Sequence, residues 1–209
     1  IRRCYLMKIL LVGDNGQLAH YIKKLKKNHK IYSASKYNFS SNNFKTNIQL
    51  LEKLKIDLII NSKAYTDVEK AEKEKNLAYR LNATLVKKIS ALCKKKKIIL
   101  IHISTDFVFN GKSNKPYSEK SKTSPINYYG YTKLLGEKYI KKNVNKYIII
   151  RTSKIYSQVG KNFLIKMIDN SINKKNLKYL NDEFFCPTYA NDLAKLIFLL
   201  VNRIKKLEL

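Results

Sequence analysis

A chain of 209 residues, 44% of them hydrophobic, can fill one core of ordinary size, enough for one domain or one and a fraction. Its formal charge of +28 invites a nucleic-acid reading, but lysine outnumbers arginine 38 to 5 and is scattered over most helices and loops, which argues against a shaped phosphate- or base-reading surface. Three widely spaced cysteines (Cys4, Cys93, Cys186) argue against a disulfide frame or zinc site and for a reducing compartment, and no apolar run approaches the ~18 residues that span a bilayer.

Ile1-Arg2-Arg3 ahead of Leu10-Leu11-Val12 superficially suggests a signal peptide, but the apolar run breaks at Gly13-Asp14-Asn15-Gly16. Met7 reads as the start, with residues 1–6 an upstream extension and a cytoplasmic location expected. Lys8 to Val12 is a short apolar run closed by a Gly-rich turn, hence a buried strand. An amphipathic helix over Leu18 to Lys27 follows, then a second strand at Ile31 to Ala34. Ile48 to Leu54 reads as helical and Asp57 to Asn61 as a third strand. Helical spacing runs from Asp67 to Lys95 through Val68, Ala71, Ala78, Leu81, Leu85, Ile89 and Leu92. Ile98 to Ile103 is a fourth strand and Tyr147 to Ile150 a fifth. Between them lies a helix over Asn127 to Lys141, introduced by Ser124-Pro125.

Strands that alternate with helices, each a nearly continuous β-branched run, predict an α/β fold. It is a Rossmann-type, doubly wound parallel sheet covered on both faces. Residues 7–152 form the dinucleotide-binding domain in this reading. From 153 to 209 the pattern loosens to a helix at Phe163–Ile172, a short strand at Leu177–Leu180 and a helix at Asn191–Ile204. That part is expected to form a small, partial substrate-binding cap.

Gly13-Asp14-Asn15-Gly16-Gln17-Leu18 joins the first strand to the first helix. Glycine permits the tight turn and close approach to a pyrophosphate, and the helix N-terminus supplies N–H donors. At the end of the second strand an acid would bind the ribose of NAD; Ser33-Ala34-Ser35-Lys36 carries none, which leans toward NADPH. Asn61 to Thr66 leaves the third strand beside the same crevice, and Ser104-Thr105-Asp106 leaves the fourth. Thr105 is placed to hydrogen-bond a carbonyl oxygen together with Tyr129. His102, on the apolar fourth strand, reads as a structural histidine. Tyr129 and Lys133 share a helix face, so the ammonium can favour the phenolate and lower a pKa near ~10, giving a proton donor for carbonyl reduction. With 15 Tyr in the chain such a pair occurs by chance; its weight lies in what precedes it.

These stretches resemble the dTDP-4-dehydrorhamnose reductase family of the extended short-chain dehydrogenase/reductase superfamily. The resemblance runs through Met7–Leu18, Ala64–Glu72, Leu81–Ala83, His102–Gly111, Asn127–Glu137, Arg151–Ser153, Gly160–Phe163 and Pro187-Thr188, in the family's order. It implies hydride transfer from NADPH or NADH to C4 of dTDP-4-dehydro-L-rhamnose, with Tyr129 as proton donor, Lys133 as its partner on the nicotinamide ribose and Thr105 orienting the carbonyl. It also implies cofactor contacts from Gly13, Gly16, Gln17, Leu18, Asn38, Ala64, Tyr65 and Thr66, and substrate contacts from Ser104, Thr105, Asp106 and Lys154. A homodimer, and Mg2+ held by acidic residues at a subunit interface, are implied by the resemblance alone.

Several positions depart from the family pattern. Lys154 stands where the family carries tryptophan, Ser157 where it carries glycine, Asn38 for aspartate and Lys63 for alanine. Members also run on beyond the position of Leu209, so a shortened sugar-binding region is expected. Two further readings compete with the reductase: a non-catalytic, dinucleotide-binding regulatory protein on this fold, and a polyanion-binding protein using the +28 charge.

Overall fold

The computed structural model describes residues 6–37, 44–173 and 185–204. Five strands, β1 (Lys8–Val12), β2 (Lys30–Ser33), β3 (Leu58–Asn61), β4 (Ile99–Thr105) and β5 (Tyr147–Thr152), form one parallel sheet in the order β2-β1-β3-β4-β5. Leu10 pairs with Tyr32 on one side and Ile59 on the other, and Ile101 with Ile60 and Ile148. Parallel strands need crossover helices on both faces, which is why the inner strands read as unbroken apolar runs.

Alternate residues of those runs feed two cores. Ile9, Leu11, Leu58, Ile60, Ile101 and Ile103 pack under α1 (Gln17–Lys24) and α8 (Ala190–Arg203). Leu10, Val12, Ile59 and Leu100 pack under α2 (Phe44–Leu54), α5 (Leu85–Lys96) and α6 (Tyr128–Asn143). Each such aliphatic side chain, fully withdrawn from water, contributes about 1.5–3 kcal/mol. α8 sets Leu193, Ala194, Ile197, Phe198 and Val201 against α1 and the sheet. The last helix therefore packs as part of the sheet's cover, although it follows residue 152 in the chain.

The long helical stretch is in fact broken. α3 (Val68–Lys73) is capped by Asp67, whose carboxylate accepts from the Lys70 N–H at 3.0 Å. α4 (Lys75–Tyr79) follows after a kink at Glu74, and a π turn, Arg80–Thr84, leads into α5. The sequence carries the reason: the apolar spacing lapses between Ala71 and Ala78, so nothing holds one axis through Glu74. β4 and β5 each run two residues past their expected ends, into Ser104-Thr105 and Arg151-Thr152, because β4·β5 pairing continues beyond the apolar run.

Beyond β5, β6 (Ile155–Tyr156) pairs with β7 (Thr188–Tyr189), and α7 (Phe163–Ile172) follows an Asn162 cap and buries none of its residues. The expected strand at Leu177–Leu180, Asn38 and Cys4 lie outside the described residues. Cys93 is buried and Cys186 exposed. No helix among the described residues is long and apolar enough to cross a membrane.

Candidate active site

The strand order reverses between β1 and β3, and at such a switch point the carboxyl ends of the strands open a crevice. Gly13 lines it with φ +88°, and a Cβ there would meet the Lys63 backbone nitrogen at 2.4 Å. Only glycine lets the first turn lie against the loop leaving β3. Gly16 caps α1 with no side-chain bond to the first-turn N–H groups, and no acid sits in that turn. These donors fit a dinucleotide pyrophosphate.

Leu18, expected at the pyrophosphate, is buried in the core and anchors α1 from below. The Gln17 side chain is committed elsewhere: its Nε2 donates to the Ile155 carbonyl at 3.0 Å, and its Oε1 lies 2.9 Å from the Ser157 hydroxyl. Asp14 accepts from the Ser35 hydroxyl at 2.5 Å. Burial pushes its pKa up, but the Ser35 hydroxyl, its own backbone, Ser33 and the Lys23 charge together hold it below the usual value.

Ala64, Tyr65 and Thr66 lie on the loop that leaves β3 at the crevice. Asn82, from the π turn, fixes that loop. Its Oδ1 accepts from Tyr65 N–H at 2.8 Å, and its Nδ2 donates to the Tyr65 carbonyl and to Thr132 Oγ1 on α6, both at 3.1 Å. Asn61 Nδ2 reaches His102 Nδ1 at 3.1 Å. His102 is wholly buried, and burial first, then the nearby Lys133 charge, drives its pKa well below the normal value, so it stays neutral.

Thr105, Tyr129 and Lys133 converge where β4 ends against the start of α6. Asn127 caps α6 by accepting from Gly130 N–H at 2.8 Å. A Cβ on Gly130 would lie 2.1 Å from the Phe107 carbonyl oxygen, so glycine allows the first turn of α6 to press on the segment after β4. That contact sets the Tyr129 phenol beside the Thr105 side chain, with the Phe107 ring edge-on at 5.7 Å.

One expectation about this pair fails. Lys133 does not hold the phenol's pKa down; its Nζ donates to the Ile103 carbonyl at 2.6 Å. Burial pushes Tyr129 up to about 12, with Thr105 pulling down and the Asp106 charge pushing up. Burial also lowers Lys133 to about 8, opposed by the Glu137 carboxylate. An ammonium drawn inside must find an acceptor, and the β4 carbonyl supplies it.

Ser104, expected to face substrate, instead donates its hydroxyl to Glu137 Oε1 at 2.6 Å. Glu137 is fully buried and receives Arg151 Nε at 3.0 Å and Nη2 at 2.7 Å, a two-pronged pair. Asn82, Glu137 and Arg151 were given no role from the sequence, although each lies in a stretch that carries the family resemblance and Glu137 stands four residues after Lys133. Asp106 follows Thr105 and bonds its hydroxyl at 3.1 Å. Lys154 leaves β5 with its ammonium 3.9 Å from the Phe185 ring centre, beside a cavity of about 200 Å³ walled by Ile155, Tyr156, Phe163, Leu164 and Pro187. Among the described residues no group of three or more His, Cys, Asp or Glu is placed to hold a metal ion.

A family model described as RmlD substrate binding domain matches residues 7–208. The dTDP-4-dehydrorhamnose reductase of Salmonella typhimurium is 41% identical over 146 residues, which is 70% of this chain and 49% of that protein. The reductase of the same name from Sinorhizobium fredii is 32% identical over 95% of this chain and 67% of its own length. A crystal structure of dTDP-4-dehydrorhamnose reductase from Bacillus anthracis in complex with NADP superposes with a TM-score of 0.88 at 33% identity, over 94% of this chain and 71% of that one. The chain spans about half the length of the first of these curated relatives.

Proposed function

Because the chain belongs to the RmlD substrate binding domain family, we propose that it reduces the C4 ketone of dTDP-4-dehydro-L-rhamnose to dTDP-L-rhamnose, using a reduced nicotinamide dinucleotide. The observation that carries this reading is the convergence of Thr105, Tyr129 and Lys133 at the carboxyl end of β4, next to a glycine-lined crevice that fits a pyrophosphate. NADPH is the form favoured by the acid-free end of β2, and a 33% identical relative was crystallised with NADP. NADH remains the other arm of the assay.

When bound, the dinucleotide supplies the hydride; the rest falls to the chain. Gly13, Gly16 and the N-terminus of α1 hold the pyrophosphate, with Ala64, Tyr65 and Thr66 along its flank. Lys133, anchored on the Ile103 carbonyl, takes the nicotinamide ribose. Thr105 orients the sugar carbonyl, and Tyr129 gives its phenolic proton to the oxygen that becomes the C4 hydroxyl. A phenol that stays protonated at neutral pH is suited to giving a proton rather than taking one, which matches the reductive direction. Residues from 153 onward, apart from α8, contribute the sugar side, with Lys154 at its edge.

The test is oxidation of NADPH and of NADH by the purified chain in the presence of the dTDP-4-keto sugar. Turnover well above a Tyr129→Phe control supports the reading; turnover equal to that control removes it.

A further inference from the structure

Gln17 sits in the dinucleotide loop by sequence, yet its carboxamide faces the other half of the molecule. Its Nε2 holds the Ile155 carbonyl at 3.0 Å, and its Oε1 lies 2.9 Å from the Ser157 hydroxyl, which shares its single proton with the Val159 carbonyl at 2.7 Å. The grip continues outward: Asn162 Nδ2 donates to the Ser157 carbonyl at 2.8 Å, and Asn162 Oδ1 caps α7 by accepting from Ile165 N–H at 3.2 Å. Ser157 is fully buried in this junction.

The same short strand has two duties. Ile155 is held through its carbonyl by Gln17, and Ile155 and Tyr156 also wall the cavity beside Lys154. Apolar anchorage here is thin: Ile155 and Val159 are half-buried against the core, but among the described residues β6 pairs with two-residue β7 alone and α7 buries none of its side chains. Where burial is sparse, a few polar bonds decide how often a segment opens.

We propose that Gln17 is a positioning residue for the sugar-binding edge, its carboxamide fixing residues 155–162 against the dinucleotide loop so that the C4 ketone meets Tyr129. The proposal rests on the reductase reading above. It separates the two halves of one residue: the Gln17 backbone belongs to the pyrophosphate cradle, and its side chain serves the substrate.

The experiment compares wild type, Gln17→Ala and Ser157→Ala, the latter lying outside the dinucleotide loop. Alanine is a strong helix former at the first position of α1, so folding is expected to survive. Amide hydrogen exchange over residues 155–162 should accelerate on the order of tenfold in both variants. NADPH affinity, measured by calorimetry, should stay within about threefold of wild type, while KM for the keto sugar rises about tenfold and kcat changes less. Unchanged exchange in both variants overturns the proposal. So does a Gln17→Ala protein that loses NADPH affinity about tenfold while its KM and exchange stay put, because Gln17 would then be a phosphate ligand. A wild type without turnover overturns the reductase reading alone; the exchange and calorimetry arms decide the clasp regardless.

Discussion

Glu137 and Arg151 form a two-pronged ion pair, at 3.0 and 2.7 Å, with the carboxylate fully buried one helical turn after Lys133. The pair ties α6, which carries Tyr129 and Lys133, to β5, and Ser104 ties the same carboxylate to the strand that ends in Thr105. Both halves of the proposed catalytic set thus hang on one carboxylate. Glu137→Gln leaves the half-buried Arg151 guanidinium without its charge partner, and losing one side of a charged hydrogen bond costs about 1–3 kcal/mol. Urea unfolding should show a loss of that order, and Glu137→Gln combined with Arg151→Met should recover part of it.

Tyr129→Phe removes the proton donor and keeps the ring that meets Phe107. Turnover should fall about 10²–10⁴-fold, the usual worth of general acid catalysis, with dinucleotide affinity little changed. Rate and calorimetry on one preparation check both halves.

Lys133 loses its proton near pH 8 in the free chain. If the ammonium is needed, kcat/KM, which reports the free enzyme, should decline as pH rises through about 8. A pH–rate profile flat to about 10, where an ordinary lysine titrates, would contradict the role given to Lys133.

The same residue sets a stability trend. Folded Lys133 titrates near 8, while an unfolded lysine titrates near 10.5. Between those values the unfolded chain holds a proton that the folded chain has released, so this residue's contribution makes stability rise with pH across the window. Below pH 8 the folded state carries the full penalty of a buried cation, on the order of 3 kcal/mol. Lys133→Met should therefore be more stable than wild type below pH 8, with the gap narrowing toward pH 10. Paired urea titrations at the two ends read it.

Gly13→Ala sets a methyl 2.4 Å from the Lys63 nitrogen at a φ of +88°. The strain alone is about 1–3 kcal/mol, and the loop shift that relieves the clash spoils the cradle. Dinucleotide affinity should drop at least about tenfold. An alanine variant that binds as wild type does would show that the turn is not the pyrophosphate site.

The sheet was legible because β1, β3 and β4 are apolar on both faces, so a simple run of Leu, Ile and Val marks each of them. Their ends were harder: Ser104 and Thr105 continue β4 through backbone pairing with Arg151 and Thr152, which side-chain pattern does not record. The Tyr129–Lys133 spacing marked the candidate site, but the direction taken by the Lys133 ammonium depends on a carbonyl 30 residues away. The Glu137–Arg151 and Gln17–Ser157 contacts likewise join elements that only tertiary packing brings together, so no periodicity announces them. α8 looked like an appendage because it follows the irregular region; its apolar stripe matches α1, a fit visible only once both lie on the sheet.

The π turn at Arg80–Thr84 inserts one spare residue into an otherwise continuous spiral. Deleting a single residue there would narrow the wide turn to an ordinary α turn, keeping the flanking helices near their present faces but shifting the residues inside it. Asn82 would then swing off Tyr65 and Thr132, and the loop after β3 would come loose from α6. Regularising that helix, a natural step for anyone seeking a sturdier protein, would dismantle one wall of the crevice.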